Sequence, residues 1–401
     1  MQCSLMIVTV LNKVMCISNR IGPPVEGEDF FGREKEIRQA NKLLDSNHSL
    51  LLSVPRRIGK SSLAKRLIKE KELQGWKCVY IDLEETSSEE GFLRLVIDAF
   101  KENGIWKQLA DGMSKGIMSV LERIDSISLG PVDFKACNKD EHEDLYKNLK
   151  DLIKHDEDTL IVIDELTLFL SIISKRANGY EKVAFILNWL RSLRQVSKTK
   201  VRWLFCGSVG LRNFTSSLNL GYTINDLREF QLDELTIEEA KGLLTGLCRS
   251  ENMQMSADLI DYTLKKLHWN IPYFIQVLFS KLADDFDQEI TKESIDIAYD
   301  ELCSENYLST WSERLSEYGD YEVPARQILK ALSTESEGLK RESMLNLLMT
   351  GKDVSHIETT DFLLSEVLKM LENDGYLIKK GLNRAFRSPL LRDYWYRNFV
   401  Q

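Results

Sequence analysis

No pair of cysteines in this chain stands at redox or metal-ligand spacing. Its seven (Cys3, Cys16, Cys78, Cys137, Cys206, Cys248, Cys303) are odd in number and scattered, and the five histidines form no cluster beside them. That pattern excludes a zinc framework and a disulfide scaffold, and it reads as reduced thiols in a cytoplasm. Long apolar runs are missing too: nothing approaches the roughly 20 residues that a membrane-spanning helix needs, so no membrane partner is expected. The apolar residues 4–11 follow no basic segment and precede no small-residue cleavage site, which argues against a signal peptide. Residues 1–20 read as a leader, disordered or upstream of a true start at Met15. Positive charge is not in excess either. With 53 Lys and Arg against 62 Asp and Glu, the formal charge is −9, so any contact with nucleic acid must be a local patch.

What is present is ordinary globular composition. An apolar fraction of 43% over 401 residues supports a sizeable core and two or three domains. After the breaker cluster Ile21-Gly22-Pro23-Pro24, an amphipathic helical pattern follows Gly32-Arg33-Glu34. Apolar runs at 49–54, 78–83, 160–163 and 201–206 read as buried parallel strands. Helical patterns at 62–73, 91–100, 143–154 and 183–195 alternate with them, which predicts an α/β fold with a doubly wound parallel sheet. A Gly-Pro turn in 127–134 suggests an inserted hairpin. From residue 226 helical periodicity takes over. From 323 three further helices are followed by Asn373-Asp374-Gly375 and a strand-like segment, the order of a winged helix. The expected domains are a P-loop core over 21–225, a helical lid over 226–320 and a winged-helix-like domain over 321–401.

The strand at 49–54 runs into Pro55-Arg56-Arg57-Ile58-Gly59-Lys60-Ser61-Ser62 and then into a helix, the context that a phosphate-cradling loop requires. Backbone N–H groups there would wrap a β-phosphate, Lys60 would bridge β- and γ-oxygens, and Ser61 would ligate Mg2+ at a helix N-terminus. The full motif has glycine five residues before Gly59; this chain has Val54. About a hundred residues on, 159–163 form an apolar strand ending in Asp164-Glu165. Asp164 is placed to hold Mg2+ through water, and Glu165 to activate the attacking water. A third strand ends in Gly207-Ser208, making Ser208 a sensor candidate. Arg191 and Arg194 close the preceding helix, where an arginine finger acting in trans, and hence a homo-oligomer, is one reading; a solvated helix face is the other. Asn138-Lys139-Asp140 is one residue short of the guanine-reading spacing, which favours adenine.

On Phe31-Gly32-Arg33-Glu34, the loop 55–61, Ile163-Asp164-Glu165, Gly207-Ser208, Asn270-Ile271-Pro272-Tyr273 and the terminal Phe386-Arg387-Ser388-Pro389-Leu390-Leu391-Arg392-Asp393-Tyr394-Trp395, the chain from Phe30 onward resembles a known family. It is similar to the archaeal-type ATPases of the STAND branch of AAA+-related P-loop proteins, kin to the Orc/Cdc6 initiators. The resemblance implies that Phe31, Gly32 and Arg33 line an adenine pocket and that Asn270-Ile271-Pro272 senses the nucleotide from the lid. It implies an ATP- and Mg2+-dependent molecular switch.

Six basic residues between Lys379 and Arg397, against the single acid Asp393, make a local positive patch with interleaved aromatics. A wing could grip DNA phosphates with it, or the module could bind a protein. Three readings therefore stand: an ATP-hydrolysing switch, a nucleotide-binding scaffold with little turnover, and a DNA-binding regulator.

Overall fold

The structure, a computed structural model, describes residues 17–105, 146–147, 149–150, 153–207, 210–285, 290–304 and 306–401. The expected hairpin at 127–134, most of the helix at 143–154, Asn138-Lys139-Asp140, Ser208 and the leader up to residue 16 lie outside these residues. The chain divides into two compact units. The first, here the sheet unit, comprises Glu34–Ser53 and Leu63–Gln231; the second, the loop unit, comprises 17–33, Val54–Ser62 and Leu232–Gln401.

In the sheet unit, α1 (Glu34–Asp45), β1 (Leu50–Ser53) and α2 (Lys60–Leu73, whose first turn belongs to the other unit) are followed by β2 (Lys77–Asp82), α3 (Glu89–Glu102) and β3 (Thr159–Asp164). Next come α4 (Leu166–Ser174), α5 (Gly179–Arg194), β4 (Val201–Gly207), α6 (Leu211–Ser217) and β5 (Arg228–Phe230). The five strands are all parallel, in the order β2-β3-β4-β1-β5. Every residue of β3 and β4 is buried, which is why both read as unbroken apolar runs without alternation. On one face Val79, Ile81, Ile161, Ile163, Trp203 and Phe205 pack with Phe92 and Phe100 of α3, Phe169 of α4 and Leu190 of α5. Each such buried side chain contributes roughly 1.5–3 kcal/mol. β5 and α4 escaped the sequence reading. The first is three residues long with two exposed polar side chains; the second is apolar on nearly every side, so it has no amphipathic period.

The loop unit contains α7 (Ile237–Ser250), α8 (Ala257–Leu267), α9 (Pro272–Asp285), α10 (Lys292–Ser304) and α11 (Ser309–Glu313). These are followed by α12 (Glu322–Ser333), β6 (Leu339–Lys340), α13 (Arg341–Met349), α14 (Ile357–Asn373), β7 (Leu377–Lys380), β8 (Asn383–Phe386) and α15 (Pro389–Phe399). A capping box fixes the start of α7: Thr236 accepts from the Glu239 N–H while Glu239 reaches back to Thr236. β6, β8 and β7 form an antiparallel three-stranded sheet. The last residues of the expected leader, 17–20, are not loose. Ile17 is fully buried against Gly246, and its carbonyl accepts from Ser250.

A chain of ring contacts joins the helices of this unit: Trp269 to Trp311 at 6.0 Å, Trp311 to Tyr376 at 5.2 Å, and Tyr376 to Trp395 at 5.8 Å. Phe386, Tyr394 and Trp395 are therefore core, whereas Tyr396 is exposed. The expected positive patch is correspondingly thinned: Arg384 pairs with Glu372, Arg392 with Asp393 and Arg397 with Asp300.

Candidate functional site

In the sheet unit the candidate carboxylates sit where a parallel strand ends. Asp164 is the last residue of β3 and is buried; its Oδ2 accepts a 2.6 Å hydrogen bond from the Tyr80 hydroxyl and its Oδ1 one of 2.9 Å from the Glu165 N–H. Both oxygens are thus held in one orientation. Glu165 has a left-handed φ of 51° and stands at the N-terminus of α4, so the chain turns sharply at the end of the strand. Asp82 lies directly across from Asp164 on β2. Burial pushes its carboxyl up, and the charges of Asp164 and Glu165 add to that, against the Glu84 N–H that holds it down. β4, whose Gly207 is paired with Ser53, runs between β1 and β3, so the strand leading to the phosphate loop and the strand of the acids flank it.

Tyr80 and Asp82 were not selected from the sequence. Their signal is only the strand pairing of 77–82 with 159–164, which no single-sequence pattern reveals.

Arg194 corrects the arginine-finger reading. Its side chain is 2% exposed and makes two hydrogen bonds to Asp226, at 2.8 and 3.0 Å, and one to the Thr223 carbonyl at 2.6 Å. Burial works to raise the Asp226 carboxyl, but the Arg194 bonds and charge outweigh it and hold it below the usual range. A guanidinium so engaged braces the sheet unit. Arg191 lies over the Tyr222 ring at 5.8 Å.

In the loop unit, residues 54–59 lead into α2 at Lys60, and Gly59 has φ 101°, a turn that a side chain would strain. Lys60, Ser61 and Ser62 therefore form the first turn of a helix, where N–H groups are unpaired by the helix itself. Lys60 is buried. The Val25 N–H donates to Ser62 Oγ at 2.9 Å, and the Arg57 guanidinium lies 4.5 Å above the Tyr273 ring, one residue past Pro272. This donor set of a buried lysine, hydroxyls and a helix N-terminus fits the phosphates of a nucleotide.

Phe31, Gly32 and Arg33 meet the start of the lid. A Cβ on Gly242 would come 2.5 Å from the Phe31 ring, and Gly32 lies against the Glu239 side chain. Arg33 differs from the expectation of a pocket wall. It is buried with φ 72°, its N–H donates to Glu239 at 2.7 Å, and its guanidinium reaches the carbonyls of Asp233 and, at 3.2 Å, Ile58. It ties the phosphate loop to the entry of α7. Next to Pro272, Asn270 is buried with its N–H on Glu234 at 2.7 Å and its Oδ1 without a hydrogen-bond partner among the described residues.

The turn after α14 lies against the loop. Gly375 has φ 86°, and a Cβ there would stand 2.8 Å from Pro55 Cγ and 2.9 Å from Trp269. Asp374 is buried, holding Arg314 at 3.2 Å and the Tyr318 hydroxyl at 2.7 Å. Burial pushes its carboxyl up, against the pull of Arg314, Tyr318 and the charges of Arg56 and Lys60 in the phosphate loop.

Comparison with known proteins agrees with this geometry. The family described as "ATPase domain predominantly from Archaea" matches residues 30–250, more than half of the chain. The chain belongs to this archaeal ATPase family. Within 321 aligned residues it is 26% identical to an uncharacterized ATP-binding protein of Methanocaldococcus jannaschii, covering 79% of this chain and 87% of that one. Among solved structures, the Walker-type ATPase of Pyrococcus abyssi superposes with TM-score 0.61 at 17% identity, over 94% of this chain and 99% of that chain. The Aeropyrum pernix ORC2 protein superposes with TM-score 0.50 at 13% identity, over 97% and 99%. This member of the archaeal ATPase family therefore has the Orc/Cdc6-like P-loop architecture. Among its described residues no helix is long and apolar enough to cross a membrane.

Proposed function

We propose that this chain is an ATP-hydrolysing switch whose C-terminal module reads the state of the phosphate loop. The observation that carries this is the packing of Gly375 on Pro55, with Asp374 held among cations that include Arg56 and Lys60. A bound triphosphate competes with Asp374 for those cations, so binding weakens the hold of the loop on the module and hydrolysis restores it. Ser61 and Asp164 would hold Mg2+, which neutralises charge on the phosphates. Lys60 and the first N–H groups of α2 bind the phosphate oxygens. Glu165 takes the proton from the attacking water, and Tyr80 keeps Asp164 in one orientation.

The test is phosphate release from ATP with Mg2+. Glu165→Gln keeps ATP affinity and slows release by about a hundredfold or more, the usual size of a general-base contribution. Equal rates in the two proteins sink the hydrolysis reading and leave the scaffold.

For the partner, a protein is favoured over DNA. On α14, Phe362 is 64% and Ile357 45% exposed, beside Glu358, with Asp361 already paired to Arg341, so the helix that would enter a groove presents apolar surface and no basic one. Such a surface suits a basic, apolar segment of another protein.

A further inference from the structure

The two arginines of the phosphate loop are held in different ways. Arg56 lies close enough to the buried Asp374 for its charge to pull that carboxyl down. Arg57 is half-buried and has no carboxylate partner among the described residues; its guanidinium rests over the Tyr273 ring at 4.5 Å. The kind of partner matters chemically. Arg194 and Arg314 brace the fold through carboxylates, which take up N–H donors and offset charge. A ring face attracts a guanidinium through its quadrupole and takes up none of its five N–H donors. Arg57 is thus held in place with its charge and its donors still available to a ligand.

The backbone carries a second, independent signal. Arg57 has φ 68°, in the left-handed region, and Gly59 has φ 101° two residues on. Glycine adopts such a conformation without strain, whereas at 57 the chain keeps a residue that is strained by its Cβ. That strain and a half-buried stack on tyrosine are of similar size, so the arginine adds little to stability. What its side chain binds accounts for it better than what it stabilises. The platform beneath it, by contrast, is fixed. Tyr273 is buried in the first turn of α9, and its hydroxyl donates to the Tyr307 carbonyl at 3.0 Å.

We infer that the Arg57 side chain binds the phosphates of the nucleotide, and that Tyr273 is the positioning residue that holds its guanidinium for them. Lys60 and the first N–H groups of α2 are set by the loop and its helix; Arg57 is the donor whose place is set by α9. Nucleotide affinity therefore depends on how α9 is seated against the loop. The inference rests on residues 54–62 being the nucleotide site, and not on turnover or on the Asp374-Gly375 contact.

The experiment titrates the full chain calorimetrically with ATP and Mg2+, with Glu165→Gln throughout to exclude turnover, and records melting temperature beside affinity. Arg57→Gly is expected to bind about tenfold more weakly or worse, the size of a lost charge-assisted hydrogen bond, at an unchanged or raised melting temperature. Arg57→Lys, which keeps the charge without the planar fork, recovers part of that loss. Tyr273→Leu is expected to weaken binding several-fold, Tyr273→Phe to recover most of it because the ring carries the contact, and Tyr273→Leu to have no further effect in the Arg57→Gly chain. Should Tyr273→Leu not fold, Tyr273→Met takes its place. Unchanged affinity in Arg57→Gly overturns the inference, and a lower melting temperature with it makes the stack structural. Equal effects of Tyr273→Leu with and without Arg57→Gly overturn the positioning role. Lys60→Ala keeps the two readings apart. ATP binding that survives it removes the phosphate loop itself, whereas binding lost in Lys60→Ala and kept in Arg57→Gly removes the role of Arg57 alone.

Discussion

The two units of this protein hold their functional groups by different means. Asp164 and Glu165 stand at the end of a strand buried along its whole length and paired on both sides, in a parallel sheet. The phosphate loop belongs to the other unit, among aromatic and ionic contacts from helices more than two hundred residues away in sequence: Tyr273, Trp269, and the Asp374-Gly375 turn. The difference teaches which half can be regulated. Sheet-end carboxylates keep their places through strand hydrogen bonds, whereas the loop takes its surroundings from side chains of helices distant in sequence, and on the proposed reading these are what a partner would move.

Variants on either side sharpen this contrast. The largest stability effect is expected from Arg33→Met in the loop unit, which leaves the carbonyls of Ile58 and Asp233 without a buried cation. A loss of about 3 kcal/mol or more in denaturant unfolding, with weaker ATP binding, would show that Arg33 anchors the loop. Weaker ATP binding at unchanged stability would return it to the pocket wall. Next is Arg194→Ala in the sheet unit, at about 3 kcal/mol, because it strands Asp226. The Asp226 carboxyl is lowered on folding, so its stabilisation is present above the usual carboxylate range and disappears as pH falls through its depressed value. Melting temperature against pH should therefore flatten on the acid side in Arg194→Ala. Unchanged acid sensitivity removes the pair from the account. The smallest effect is Tyr80→Phe, which deletes one hydrogen bond to Asp164. It should cost about 1 kcal/mol in stability and raise the Mg2+ concentration for half-maximal phosphate release a few-fold, with ATP affinity nearly kept.

How much of this was legible depended on distance along the chain. The four longer strands and the loop were readable because a buried parallel strand is a local apolar run and the loop is a local motif. Tyr80 was not, since its partner is 84 residues away, nor was the Arg194–Asp226 pair across 32 residues. Arg33 was read through resemblance as a pocket wall, and only its contacts with Ile58 and Asp233 show the anchoring role. Asn373-Asp374-Gly375 was visible as a turn, but nothing in its neighbours signals that the turn rests on Pro55.

That contact is the centre of the account, and hydrogen exchange over residues 372–388 tests it most directly. Glu165→Gln protein saturated with ATP and Mg2+ should exchange faster there than the nucleotide-free protein. Gly375→Ala, whose Cβ cannot be accommodated against Pro55, should raise exchange without nucleotide. Identical exchange with and without ATP, while the loop at 54–62 gains protection, would contradict the switch.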